Sequence, residues 1–485
     1  MDAIETIEQS IDRVLTGNQL YHEYADQWKY LLESYTGGFE YKNAQHLLKY
    51  SLENAAEYGT RLNQTPYENH CASVVGVYNS FIFKNPPSRD LGNLQNTPFI
   101  EDLLKDADHD GRSFNAFMKD VATYASIFGH SWVVVSKPDV GAITMADEYA
   151  MGVRPYLNML SPLMVLDWRW KRDITGKYEL VYFKYIEEVN GDDHVVREWT
   201  NEEICTYYIN KKAKSYDKIV EANGLGKIPC VPVYNQRSII RGIGKSDIVD
   251  IADQAKYIYN MLSELEASIR LDSHPSLVKT ENTLAGTGPG SIIQVSEDLD
   301  PGLKPYILSA TGANVNQILD AIKHSIESID KMASLGSMRA TESTSMSGVA
   351  MQTEFQMLGS KLSEKAASLE LAEENIWKLV CEYSNVEYDC FIEYADSFNI
   401  RDRDADLEFL IKARTSGVTT QGFQTEISRQ IVELVVKDDQ TAMEIQGELE
   451  EFEPHVMMDP DTREQVMANT YEEHLAYAEQ GYVHV

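Results

Sequence analysis

Basic residues are scarce in this chain of 485 residues: 43 Lys and Arg stand against 76 Asp and Glu, a formal net charge of −33. A surface that negative excludes a protein that coats nucleic acid through clustered cations, and it argues against an anionic membrane as partner. Cysteine is scarce as well. Cys71, Cys205, Cys230, Cys381 and Cys390 form no C-x-x-C pair, which excludes zinc-knuckle and thioredoxin-type motifs. Their odd number and wide spacing suit a reducing compartment. Long apolar runs are missing: no stretch reaches about 18 apolar residues, so no membrane-spanning helix is expected. The N-terminal Met1-Asp2-Ala3-Ile4-Glu5-Thr6 is acidic and lacks an apolar h-region, so no signal peptide is expected. A soluble protein made inside the cell is the reading. No G-x-S-x-G elbow or Cys/His pair supplies a nucleophile.

What is present is ordinary globular composition, 43% hydrophobic and 25% charged. At roughly 150 residues per domain, the length suggests about three domains. Residues 1 to about 85 read as amphipathic helices: Ile4, Ile7, Ile11 and Val14 recur at helical spacing, and Gly17-Asn18 ends the run. Further helices are predicted over 68–83, stopped by Pro86-Pro87, and over 111–130, ended by Gly129. Between 130 and 235 short β-rich runs alternate with turns, at 131–136, 154–160, 164–168, 178–188, 194–199 and 203–209. Asn190-Gly191 between two of them signals a hairpin. The prolines of Ile228-Pro229-Cys230-Val231-Pro232-Val233-Tyr234 put that strand at a sheet edge.

After Gly244 a helix capped by Ser246 or Asp247 is expected. Its seam, Ile248, Ile251, Ala255, Ile258, Leu262, Leu265 and Ile269, has alternating spacings of three and four. Residues 273–312, rich in Gly and Pro, interrupt the helical pattern. A second seam follows through Val315, Ile318, Ile322, Ile326, Ile329 and Ala333. Residues 334–348, rich in Ser, Thr, Gly and Met, show no periodicity and read as a mobile loop. A very long helix over 349–383, a strand over 386–396 and an acidic helical remainder over 402–485, with helices near 404–415, 420–436 and 438–452 and a looser tail, complete the chain.

Four motifs invite chemistry, and each has a plainer explanation. Gly242-Ile243-Gly244-Lys245-Ser246 follows a strand and precedes a helix, as a phosphate-binding loop does. The leading glycine of that motif falls on Ile239, so a glycine turn with a helix cap is the stronger reading. Asp106-Ala107-Asp108-His109-Asp110-Gly111 resembles half of a calcium loop, but Phe117 stands where the bidentate Glu belongs. His22-Glu23-Tyr24-Ala25-Asp26 lacks the second His of a zinc helix and reads as a solvated face. Arg401-Asp402-Arg403-Asp404-Ala405-Asp406 reads as a helix start that suits the helix dipole, not as a metal site.

The order of elements resembles the tailed-bacteriophage portal (head-to-tail connector) family. Three stretches carry the resemblance. The first is Asn69 to Pro87, a helix running into an aromatic-Pro turn. The second is Val231-Pro232-Val233-Tyr234 followed by Gly244-Lys245-Ser246-Asp247-Ile248-Val249-Asp250 and by Tyr259, Asn260 and Ser263. The third is Gly417-Val418-Thr419-Thr420 in the acidic C-terminal region. The resemblance spans about 65 to 450, and the helix–insert–helix–loop–helix order is its most specific part.

It implies a mixed α+β, helix-rich fold with wing, stem, clip and crown regions. Residues 1–245 would be the N-terminal wing region. Residues 246–272 and 313–335 would be stem helices around a clip at 273–312. Residues 336–348 would be a tunnel loop, and 349–401 the long wing-to-crown helix with a returning wing strand. Residues 402–485 would be the crown and tail. In the loop, Ser337, Met338, Arg339, Thr341, Ser343, Thr344 and Met346 would face DNA, with Lys323 and Lys331 as lumen cations. Ser291, Ile293, Pro301 and Lys304 would lie in the docking clip. The stem isoleucines and leucines (Ile248, Ile251, Ile258, Leu262, Leu265, Ile318, Ile322, Ile326 and Ile329) are expected to pack between neighbouring subunits.

The implied function is a non-enzymatic ring at one capsid vertex of a virion, made in the host cytoplasm, that conducts DNA in packaging and ejection. Its implied partners are eleven further copies in a dodecamer, major capsid protein, scaffolding protein, terminase large subunit, a head-tail adaptor or neck protein and duplex DNA in transit. No membrane, metal or cofactor is implied. An acidic ring suits that role, since a conduit must not hold DNA tightly, and repulsion acts only within about 8 Å at physiological salt. The rival readings are a nuclease or nucleotide hydrolase using Asp402, Asp404 and Asp406 or Lys245, and an acidic scaffolding or adaptor protein without a channel.

Overall fold

The computed structural model describes residues 6–138, 141, 144–273, 276–280, 300, 302, 305–308, 313–336, 348–395, 398, 403–415, 420–436, 445, 455–458, 465–468, 477 and 482–484. The chain divides into two compact units, Met1–Phe398 and Asn399–Val485, fewer than its length suggests. The reason lies in the first unit, where one hydrophobic core runs without a break from Trp28 through Trp132 to Trp377 and Tyr394.

The N-terminal helices are α1 (Ile7–Leu15), α2 (Gln19–Thr36), α3 (Gly38–Asn43), α4 (Ala55–Gln64) and α5 (His70–Ile82). Capping boxes at Thr6/Gln9 and Asn54/Glu57 start α1 and α4. Strand β1 (Ser88–Asp90) and helices α6 (Ile100–Lys105) and α7 (Phe114–Phe128) follow. Ser113 caps α7, and Gly129 ends it in the left-handed conformation at φ 92°.

Two antiparallel sheets come next. In the first, β2 (His130–Ser136) lies between β3 (Tyr156–Leu160) and β9 (Cys230–Tyr234), with helix α8 (Met145–Ala150) between β2 and β3 in sequence. β9 is an edge strand, as its prolines predict, and Pro232 stands opposite Trp132. The second sheet is a five-stranded meander of β4 (Val165–Arg172), β5 (Tyr178–Asn190), β6 (Asp193–Thr200), β7 (Glu203–Asn210) and β8 (Ser215–Ala222). The β5–β6 hairpin forms where expected, but its two loop residues are Gly191 and Asp192, not Asn190 and Gly191. Gly191 takes φ 60° at the first of them, the type II′ place. Strand β8 has no counterpart in the sequence reading. It lies at a sheet edge and is almost wholly exposed, so nothing forces its side chains to alternate.

Helix α9 (Val249–Ser273) leads into β10 (Ser276–Val278), which pairs antiparallel with β11 (Tyr306–Leu308). Helix α10 (Ala313–Ala333) then packs back along α9. Helix α11 (Gly348–Tyr383) matches the predicted long helix. The strand expected over 386–396 is only β12 (Phe391–Glu393), because its partner among the described residues, β1, is three residues long.

In the second unit, α12 (Arg403–Arg414) and α13 (Gln421–Val435) agree with the periodicity. Of the helix expected near 438–452 only Ile445 is described, and it is helical. The tail is not merely loose: β13 (His455–Met458) pairs with β14 (Gln465–Ala468) and β15 (Val483–His484). All five cysteines are buried as free thiols. Among the described residues no helix is long and apolar enough to cross a membrane.

Candidate functional site

The candidate site is the α9–α10 helix pair and the framework that holds it. Ile248, Ile251 and Ile258 on α9 and its approach, and Ile322 and Ile329 on α10, are buried in the chain's own core. The expectation that these side chains pack between neighbouring subunits is therefore corrected: a residue already covered within one chain has no surface left for a neighbour. Burial falls along the seam. Leu262, Leu265, Ile318 and Ile326 are only partly covered, and Ile269 is 47% exposed. Helix α10 turns a polar face outward on which Asp320, Lys323, Glu327 and Lys331 are all exposed. Two cations alternate with two acids there, so the face has no surplus charge of either sign.

Where the pair meets the framework, an ionic network joins six elements. Asp247, just before α9, pairs with Lys365 of α11 and lies 3.5 Å from Lys361 of the same helix. Lys365 also donates to the Ser126 hydroxyl (3.0 Å) on α7 and to the Asn235 side-chain oxygen after β9. Lys361 donates to the Tyr78 hydroxyl (3.0 Å) on α5, which in turn donates to the carbonyl of Ala333 (2.7 Å) at the end of α10. Burial alone would raise the Asp247 carboxyl, but Lys365 and Lys361 outweigh it and hold the group below its ordinary value. Burial pushes Lys365 down, with Asp247 opposing, whereas Asp247 and Tyr78 hold Lys361 up against its own burial. Removing one partner of such a buried group leaves an uncompensated charge, typically at a cost of about 3–5 kcal/mol.

A second buried carboxylate fixes the other end of α11. Glu373 accepts from Nε and Nη2 of Arg89 on β1, from the Trp377 indole N–H (3.1 Å) and from the Tyr394 hydroxyl (2.6 Å). Burial drives the Tyr394 hydroxyl far above its usual value. Every partner is a donor, so the carboxylate is fully used as structure.

The Gly242–Ser246 turn is also structural. The Gly244 N–H donates to His130 Nδ1 (3.3 Å), the Lys245 N–H to the Gln236 carbonyl (2.8 Å) and the Asp247 N–H to the Ser126 carbonyl (3.0 Å). Backbone donors spent inside the protein cannot cradle a phosphate. A Cβ on Gly244 would lie 1.9 Å from the Gly129 carbonyl oxygen, so this glycine serves close packing. In the aspartate loop, Asp106 accepts from the Gly111 N–H (2.9 Å) and pairs with Arg154 (3.3 Å), while Asp108 pairs with Arg112. His22, Glu23 and Asp26 are exposed on α2. Among the described residues, no cluster of three His, Cys, Asp or Glu side chains is placed to hold a metal. Asp404 and Asp406 stand in the first turns of α12, while Asp402 lies outside the described residues.

The predicted loop residues Ser337, Met338, Arg339, Thr341, Ser343, Thr344 and Met346, and the predicted docking residues Ser291, Ile293, Pro301 and Lys304, lie outside the described residues. The sequence reading missed Lys361, Lys365 and Glu373. A signal was present for Lys365. Leu358, Leu362, Lys365, Leu369, Ala372 and Ile376 follow spacings of four and three, so a lysine occupies a seam position and calls for a buried partner.

The sequence matches the family described as "Phage portal protein, SPP1 Gp6-like" over residues 21–454. No curated protein sequence matches the chain. Among solved structures, a chain of "Neck of empty GTA particle computed with C6 symmetry" is similar at 9% identity and a TM-score of 0.46, over 78% of this chain and 95% of that one. A chain of "Virion of native gene transfer agent (GTA) particle" is similar at 9% identity and a TM-score of 0.43, over 74% and 89% respectively.

Proposed function

The chain belongs to the SPP1 Gp6-like phage portal protein family, and from that premise we propose how its parts serve a portal vertex. The family is structural, and the role is that of a head-tail connector in a virion. The observation that carries the detailed reading is the extent of the family match, which spans the whole helix–insert–helix–loop–helix core.

The chain assembles as a ring, a dodecamer, around a channel for duplex DNA. Helices α9 and α10 are the stem, and 273–312 is the clip on which the terminase large subunit docks first and the head-tail adaptor later. Residues 336–348 are the tunnel loop. Residues 402–485 are the crown inside the capsid, and the outer parts of the ring meet scaffolding and major capsid protein. The mixed face of α10 supports the conduit reading: Lys323 and Lys331 stand eight residues apart, about 12 Å along the helix. Each gives a phosphate a brief contact, and Asp320 and Glu327 keep the face from holding DNA by counterion release. The protein contributes no catalysis, and ATP turnover belongs to the motor.

The test is electron microscopy of the purified protein together with a deletion of 337–347. Rings with a central hole of about 20 Å or more are expected, and the deletion should leave rings intact while impairing DNA packaging or retention. Compact oligomers without a hole would overturn the conduit reading. Normal packaging by the deletion variant would overturn the loop assignment. An ATPase lost on Lys245→Ala would overturn the non-enzymatic role.

A further inference from the structure

In so acidic a chain, a group of arginines without ion-pair partners among the described residues is informative. Arg172, at the end of β4, lies opposite Tyr178 across the β4–β5 hairpin, its guanidinium 4.6 Å from that ring's centroid. Arg241, from the loop between β9 and α9, covers the same ring at 3.8 Å. Arg237, four residues earlier in that loop, lies over Tyr234 at 5.5 Å. The Trp168 indole donates to the Arg241 carbonyl (3.4 Å), so hairpin and loop form one surface. Among the described residues none of these three arginines forms an ion pair, whereas Arg169, just before them on β4, is paired with Asp167. At the two loop tips Ile174 and Ile239 are 102% and 103% exposed.

Guanidiniums laid on aromatic rings are already ordered, so binding through them costs less side-chain freedom. Arginine and tyrosine beside bare aliphatic tips is the composition of a protein interface. A nucleic-acid backbone needs the cations but gains nothing from two exposed isoleucines. The charges call for carboxylates, and the chain's own surplus of acids supplies them on every further copy. Two such patches face to face would oppose arginine to arginine, so the complement is a different, acidic face of the next copy. In the ring read above, that contact is head-to-tail and recurs from copy to copy.

We propose that Arg172, Arg237 and Arg241, with Ile239 at their tip, dock on an acidic face of a second copy of this chain. The proposal rests on the ring reading above and names the contact that makes the ring directional.

The test uses the full-length protein, the triple variant Arg172→Glu/Arg237→Glu/Arg241→Glu and the single variant Ile239→Asp. Native mass spectrometry and sedimentation read assembly, and circular dichroism reads the fold. Both variants should keep the parental spectrum and need about tenfold or more protein to assemble. Parental assembly should weaken between about 0.1 M and about 1 M salt, as the screening length drops from roughly 10 to 3 Å. A photo-crosslinking residue at position 239 should join an acidic segment of another copy. Variants that assemble at the parental concentration overturn the proposal, as does the absence of any intermolecular adduct. A labelled DNA duplex bound by the parent and released by the charge reversals would reassign the patch to nucleic acid. Rings formed equally by parent and variants would sink this contact and leave the ring reading standing. Adducts between copies without rings in micrographs would do the reverse.

Discussion

Lys361 and Lys365 sit inside the protein around Asp247, and their charges hold α9, α10 and α11 in one frame. Arg172, Arg237 and Arg241 sit outside, laid on aromatic rings and forming no ion pair among the described residues. The two groups are chemically alike. Their surroundings make the first a matter of stability and the second a matter of association. A net charge of −33 describes neither, because it averages over both.

The contrast breaks most readily at Asp247. Replacing it with Asn leaves the buried Lys365 ammonium and the half-buried Lys361 without their counter-charge, and a loss of about 3–5 kcal/mol is expected in denaturant unfolding. Each exposed arginine replaced singly by Glu should shift the same curve by no more than about 0.5 kcal/mol. Equal losses in the two sets would end the distinction. The seam offers the next comparison. Ile329→Ala, in a fully buried site, should cost about 2–5 kcal/mol. Ile269→Ala, at a site nearly half exposed, should cost less than about 1 kcal/mol by area.

Tyr78→Phe removes the hydroxyl between Lys361 and the Ala333 carbonyl, for an expected loss of about 1–3 kcal/mol. Acid sharpens the picture most gently. The Asp247 carboxyl is held below its ordinary value of 3.8. Its contribution is therefore complete above that value and disappears as pH falls through the lower native one. Unfolding curves taken from about pH 5 to about pH 2 should show this slope in the parent and a flatter one in Asp247→Asn. Identical slopes would mean that other carboxylates govern acid stability.

Much of the fold was readable because its signals are local. The 3,4 spacing points to α9 and α10, Gly129 marks the end of α7, and the prolines of β9 place it at an edge. Strand β8 was not readable, because an edge strand exposed on both faces carries no alternation. The ionic network was half readable. Lys365 stands on an apolar seam, but its partner Asp247 lies 118 residues away, and no periodicity connects them. The inward direction of Ile248, Ile251, Ile258, Ile322 and Ile329 is not legible for a related reason: a seam shows that a face is covered, not by which chain.

The meeting of Gly129 and Gly244 has a consequence for descent. A Cβ on either would strike the backbone of the other, at 2.5 Å from the Gly244 carbonyl oxygen or 1.9 Å from that of Gly129. Neither position can drift alone while the other backbone stays in place, so the two glycines should be inherited together. Packing would thus retain Gly244, and Gly242 at φ 86° against the Trp168 ring, whereas exposed Lys245 is under no such constraint, so the glycines are the lasting part of the likeness to a nucleotide loop.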